Sequence, residues 1–150
     1  MLNAPPRPDE PARPPTGFSP TELLLAGAAA CSAWDVIEIV RKRRADLAAL
    51  DVEVEGFQAD DPPWHYERMV LHFRLTASRL TVGVLERVVR LSVVRYCSVI
   101  ATLRGVARIE ATAELVDLAG NSSGRRSVRL DGTVAEPLDE DAPAPQADEG

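Results

Sequence analysis

The sequence predicts an α+β fold, an antiparallel sheet packed on a long buried helix. Three observations carry this prediction. Residues 20–45 hold a long apolar run at helical spacing behind a capping signature. Residues 51–57 and 68–76 alternate apolar and polar side chains. Residues 81–95 return to helical spacing ahead of a last strand-like run at 106–116. Helices and strands in such an irregular order fit a sheet with helices gathered against it.

The first helix has the clearest start. Ser19 offers an N-cap oxygen, Pro20 suits the first helical position, and Glu22 three residues after Ser19 completes a capping box. Leu24, Gly27, Cys31 and Trp34 follow at steps of three and four and share a face. The first half is apolar nearly all round, which predicts burial on several sides. Ala26–Ala30 are small and admit a closely packed neighbour. Glu38 and Lys42 stand four apart with the favourable polarity.

The strands come next. In 51–57, Val52 and Val54 alternate with Glu53 and Glu55. In 68–76, Met69, Leu71, Phe73 and Leu75 lie opposite Val70, His72 and Arg74. Period two with one apolar face marks a half-exposed strand. The pair is predicted antiparallel, joined by a long connection around Pro62–Pro63. Residues 81–95 place Val84, Leu85, Val88 and Leu91 inward; 97–104 form a short helix or turn; 106–116 form a closing strand.

Composition bounds the rest. The 150 residues suffice for one domain, and a formal net charge of −6 argues against a nucleic-acid partner, which calls for a basic surface. Arg41–Arg44 fits a helix C-terminus better than a phosphate contact. No run reaches the roughly 20 consecutive apolar residues of a membrane span. No leader pattern is visible, so a cytoplasmic protein with reduced thiols and no membrane partner is expected. Residues 1–16 are predicted to be a proline-rich flexible arm, since proline fixes φ and lacks a donor. Residues 117–150 carry 8 acids against 3 bases and are predicted to be an acidic, largely disordered tail, with a weak strand or turn near Ser127–Val134. The domain is expected to span 17–116.

Cys31 and Cys97 are the residues able to do redox chemistry. By spacing alone they are either inert core or a functional thiol pair. They carry no metal signature, since zinc would need two more Cys or His ligands and only His65 and His72 are present. No cofactor motif is visible. His72 reads as a hydrogen-bonded strand residue, and Trp64, His65 and Tyr66 as either the edge of a pocket or a loop packing its own aromatics.

Two strings point further. GFSPTELLLAGAAACSAWDVIEIVRKRR (17–44) resembles the first cysteine motif of the OsmC/Ohr family, and LERVVRLSVVRYCSVIATL (85–103) resembles its second, especially that of the YhfA-type branch. The resemblance implies an intertwined homodimer with sites at the subunit interface, and thiol-dependent reduction of organic hydroperoxides in oxidative-stress defence. By position Cys31 matches the peroxidatic cysteine and Cys97 the resolving one, with Leu24 and Trp34 on the apolar pocket wall. A dithiol of lipoyl type is the implied reductant. In the peroxidase branches an arginine on an N-terminal strand activates the nucleophile, held by a glutamate just after the helix-1 proline. Here Thr21 holds that position, Glu22 is turned about 100° away, and residues 1–16 do not supply the N-terminal strands; Arg7 and Arg13 are the available substitutes. The alternative implied reading is therefore a non-catalytic dimer of the same fold that binds a small apolar molecule or senses oxidation.

Overall fold

The computed structural model describes residues 17–128 and Leu130; the proline-rich arm, Arg7 and Arg13, and the acidic tail beyond Leu130 lie outside the described residues. The element order is α1 (Pro20–Lys42), β1 (Asp46–Gln58), β2 (Tyr66–Ser78), α2 (Val82–Leu91), a π turn (Ser92–Tyr96), α3 (Ser98–Leu103), β3 (Arg108–Val116) and β4 (Ser122–Val128).

The start of α1 is as its residues dictate. Ser19 Oγ accepts the Glu22 backbone N–H at 3.2 Å, and the Ser19 N–H donates back to the Glu22 carboxylate at 2.6 Å. Two orphan donors are thereby satisfied. At the far end Glu38 pairs with Arg41 at 3.2 Å, three residues on, rather than with Lys42. At 23 residues, α1 is long and apolar enough to cross a membrane by length and composition, against the expectation from uninterrupted runs. Its charges are sparse rather than absent, so a window average passes where a strict run fails. Ala28, Ser32, Val36 and Val40 form its buried stripe, as in the core helix of a globular fold.

The four strands run in the order β1-β2-β3-β4. The first and last pairs are antiparallel, while β2 and β3 are parallel. A parallel pair needs a crossover, and α2, the π turn and α3 supply it. The alternation in β2 holds residue by residue. Met69, Leu71, Phe73 and Leu75 are fully buried, each worth about 1.5–3 kcal/mol as an upper figure. Ala111, Ala113 and Leu115 of β3 join them, with Leu85, Val88 and Val89 of α2. Val52 and Val54 of β1 pack at the edge of this core.

The opposite face of the sheet is polar. His72 hydrogen-bonds Thr112 and lies 3.4 Å from the Glu114 carboxylate, which also accepts from Arg125 at 2.8 Å. Arg125, with Ser122, pulls the Glu114 carboxyl down to about 2.

Several boundaries differ from expectation. Both paired strands are longer than the alternating cores that announce them, since backbone pairing continues past the last apolar residue. The second helix ends at Leu91, where the backbone widens into the π turn and the Cys97 N–H reaches the Ser92 carbonyl at 2.8 Å. Among the described residues the last strand is Ser122–Val128, so the sheet runs on past Val116; of the weak strand or turn expected near Ser127–Val134, Arg129 and residues 131–134 lie outside the described residues. The Asp117 carboxylate ties the connecting turn by accepting the N–H groups of Ala119 and Asn121 at 2.9 and 2.8 Å. This strand has almost no apolar alternation, so only its partner β3 reveals it.

Candidate functional site

The site is built where α1 meets the crossover. Cys31 projects from the middle of α1 and is half-buried; Cys97 is buried. Cys97 breaks from the helical backbone at φ −68° and ψ 106° and serves as N-cap of α3. Its Sγ accepts the Ile100 N–H at 3.5 Å. The π turn makes this geometry, because the extra residue in its ring redirects the chain just before the cysteine.

Asp35 lies one helical turn beyond Cys31. The two sulphur atoms and a carboxylate oxygen of Asp35 all lie within 4.8 Å of one another. Ser92, in the π turn, secures the group from behind. Its fully buried hydroxyl lies 2.9 Å from the Ser32 carbonyl, to which it donates, and 3.4 Å from the Asp35 carboxylate. Ser98 Oγ sits 3.9 Å from Cys31 Sγ.

The two thiols are electrostatically unlike. At Cys31 burial, and to a smaller extent the Asp35 charge, act to raise the pKa, but the Val99 backbone N–H and the side chains of Cys97 and Ser98 outweigh them, so the thiol lies below its ordinary value. At Cys97 burial dominates and pushes the thiol up to about 11. Burial also raises Asp35, against the hydrogen bond from Ser92. The groups that favour the Cys31 thiolate are thus neutral donors. Glu22 is engaged in the capping box, and the Thr21 hydroxyl lies 3.3 Å from that of Ser19.

Cys31 and Cys97 are brought together, as their matched positions imply. Leu24 and Trp34 share the Cys31 side of α1 but stand in the open, Leu24 46% and Trp34 69% exposed. Among the described residues nothing covers these two apolar side chains. His72 is on the far face of the sheet with Glu114 and Arg125, and His65 is exposed. Sequence reasoning missed Asp35, Ser92 and Ser98. A signal existed for Asp35: it is an acid on an apolar helix, four residues after the cysteine. Ser92 and Ser98 carried none, since a serine's partners depend on where the crossover folds.

Comparison with known proteins agrees with this geometry. The family model described as OsmC-like protein matches residues 13–112. Protein YhfA of Escherichia coli K12 is 34% identical over 98 residues, covering 65% of this chain and 73% of the relative. Among solved structures, a hypothetical protein from Aquifex aeolicus is 27% identical with a TM-score of 0.65, covering 69% of this chain and 77% of that one. An OsmC-like protein from Mycoplasma pneumoniae, 24% identical, shares the fold with a TM-score of 0.63 over 77% of this chain and 80% of that one. With its α+β layers, its two cysteine-bearing helical segments and two-thirds of its length matched, the chain belongs to the OsmC family.

Proposed function

We propose that this protein reduces organic hydroperoxides by a two-cysteine mechanism, as a homodimer acting in oxidative-stress defence in the cytoplasm. One observation carries the reading: two thiols distant in sequence face each other, the solvent-reached one with its pKa lowered and the buried one with its pKa raised. That is the division of labour such a cycle needs, because the thiolate is the attacking form.

The Cys31 thiolate attacks the terminal peroxide oxygen and the O–O bond breaks. Cys31 becomes a sulfenic acid, and the alkoxide takes a proton from water and leaves as the alcohol. The Cys97 sulphur then displaces hydroxide from Cys31, forming the disulfide and, with the Cys97 proton, water. An external dithiol of lipoyl type returns both thiols and leaves as its own disulfide. The sulphurs must approach to about 2.05 Å, which rotation of the half-buried Cys31 side chain can provide. The apolar strip of Leu24 and Trp34 favours an organic substituent on the peroxide, and its exposure in one chain is the reason to place a second subunit over it.

Turnover of cumene hydroperoxide with dihydrolipoamide is the test, with Cys31→Ser and Cys97→Ser beside the parent. Loss of turnover in Cys31→Ser, and a stable sulfenic acid in Cys97→Ser, are expected. Full turnover in Cys31→Ser refutes the assignment. A second reading, a non-catalytic dimer that binds a small apolar molecule or senses oxidation, is favoured by Thr21 standing where the peroxidase branches place a glutamate. No turnover by a folded dimeric parent would select it.

A further inference from the structure

The sequence lacks enough Cys and His for a metal centre, yet the fold adds a ligand that sequence spacing hides. Cys31 Sγ, Cys97 Sγ and an Asp35 carboxylate oxygen converge within 4.8 Å of one another, from two elements far apart in the chain. In a tetrahedral zinc site, metal–sulphur bonds near 2.3 Å and metal–oxygen bonds near 2.0–2.2 Å put the donors about 3.4–3.8 Å apart. The donors would have to draw together by about 1 Å, a change of the size side-chain rotation provides.

We propose that the reduced site formed by Cys31, Asp35 and Cys97 binds one soft divalent cation of the zinc class, through three protein ligands and one water. Two thiolates and a carboxylate select such an ion over magnesium or calcium, which take oxygen ligands. The support behind the ligands is of the kind metal sites use. The Ser92 hydroxyl, 3.4 Å from one Asp35 oxygen, helps to orient that carboxylate. Cys97 is fixed by the N-terminus of α3, and Cys31 is half-open to solvent, giving the ion a way in and the water a place. A bound ion would displace the thiol protons, so binding should release protons. Neither part of this depends on peroxide turnover: a chain that reduces no hydroperoxide would bind the ion equally well.

Cobalt(II) is the probe, titrated anaerobically into the full-length reduced chain, with zinc(II) as competitor. The expected result is one cobalt per chain, with near-ultraviolet thiolate-to-cobalt charge transfer and the visible bands of a four-coordinate ion, all abolished by zinc. Cys31→Ser and Cys97→Ser should each weaken binding at least 100-fold, and Asp35→Asn about 10-fold or more, with far-ultraviolet circular dichroism confirming the fold of each. Absence of the charge-transfer band in the parent, or parental affinity in folded Cys97→Ser or Asp35→Asn, overturns the proposal.

Discussion

Cys97 Sγ accepts the backbone N–H of Ile100 at 3.5 Å and lies within 4.8 Å of Cys31 Sγ. One thiol is locked into a helix terminus under the core while the other is open to solvent. Their reactivities should separate with pH. In reduced protein with chelator present, iodoacetamide labelling of Cys31 should rise to its plateau at a lower pH than that of Cys97. Labelling of Cys97 should appear only as the pH nears its value of about 11. Peptide mass spectrometry reads both, and equal labelling of the two cysteines at neutral pH would contradict the assignment.

Ser92 joins the π turn to α1. Its hydroxyl donates to the Ser32 carbonyl in a fully buried setting. Ser92→Ala removes that bond and the restraint on Asp35, and should cost about 1–2 kcal/mol. It should also raise the Asp35 pKa further, since burial then acts on the carboxylate unopposed by Ser92. Urea unfolding and carboxyl-carbon NMR titration read the two effects, and an unchanged Asp35 titration would show that Ser92 does not hold it.

Gly56 of β1 is a close approach. A Cβ there would clash with the Tyr66 ring and come within 2.8 Å of Leu25. Tyr66 is buried and cannot swing away freely. Gly56→Ala should therefore destabilise by roughly 1–3 kcal/mol through overpacking between α1 and the sheet. A gain in stability would mean that Tyr66 relaxes at no cost.

Glu114 gives the acid limb of the stability curve a defined sign. Its folded pKa of about 2 lies below the ordinary 4.5, chiefly because of Arg125. Its contribution is complete above 4.5 and is lost as the pH falls through 2. Arg125→Ala should lower stability at about pH 7 and approach the parent as the pH nears 2. A deficit independent of pH would assign Arg125 a packing role instead.

The division between local and tertiary information is clear at particular residues. Ser19, Pro20 and Glu22 determine the start of α1, because capping is settled within one turn of chain. Met69, Leu71, Phe73 and Leu75 determine the buried face of β2, because period two admits one inward side. The two cysteine motifs determine the family. The tertiary structure alone decided that β2 and β3 run parallel, that Ser122–Val128 is a strand, and that Ser92 and Asp35 stand beside the thiols. The reason is physical. Strand β4 takes its conformation from hydrogen bonds to β3 rather than from its own side chains. Asp35 gains its neighbours only when the crossover, turned by five residues of π geometry, lays Cys97 against α1.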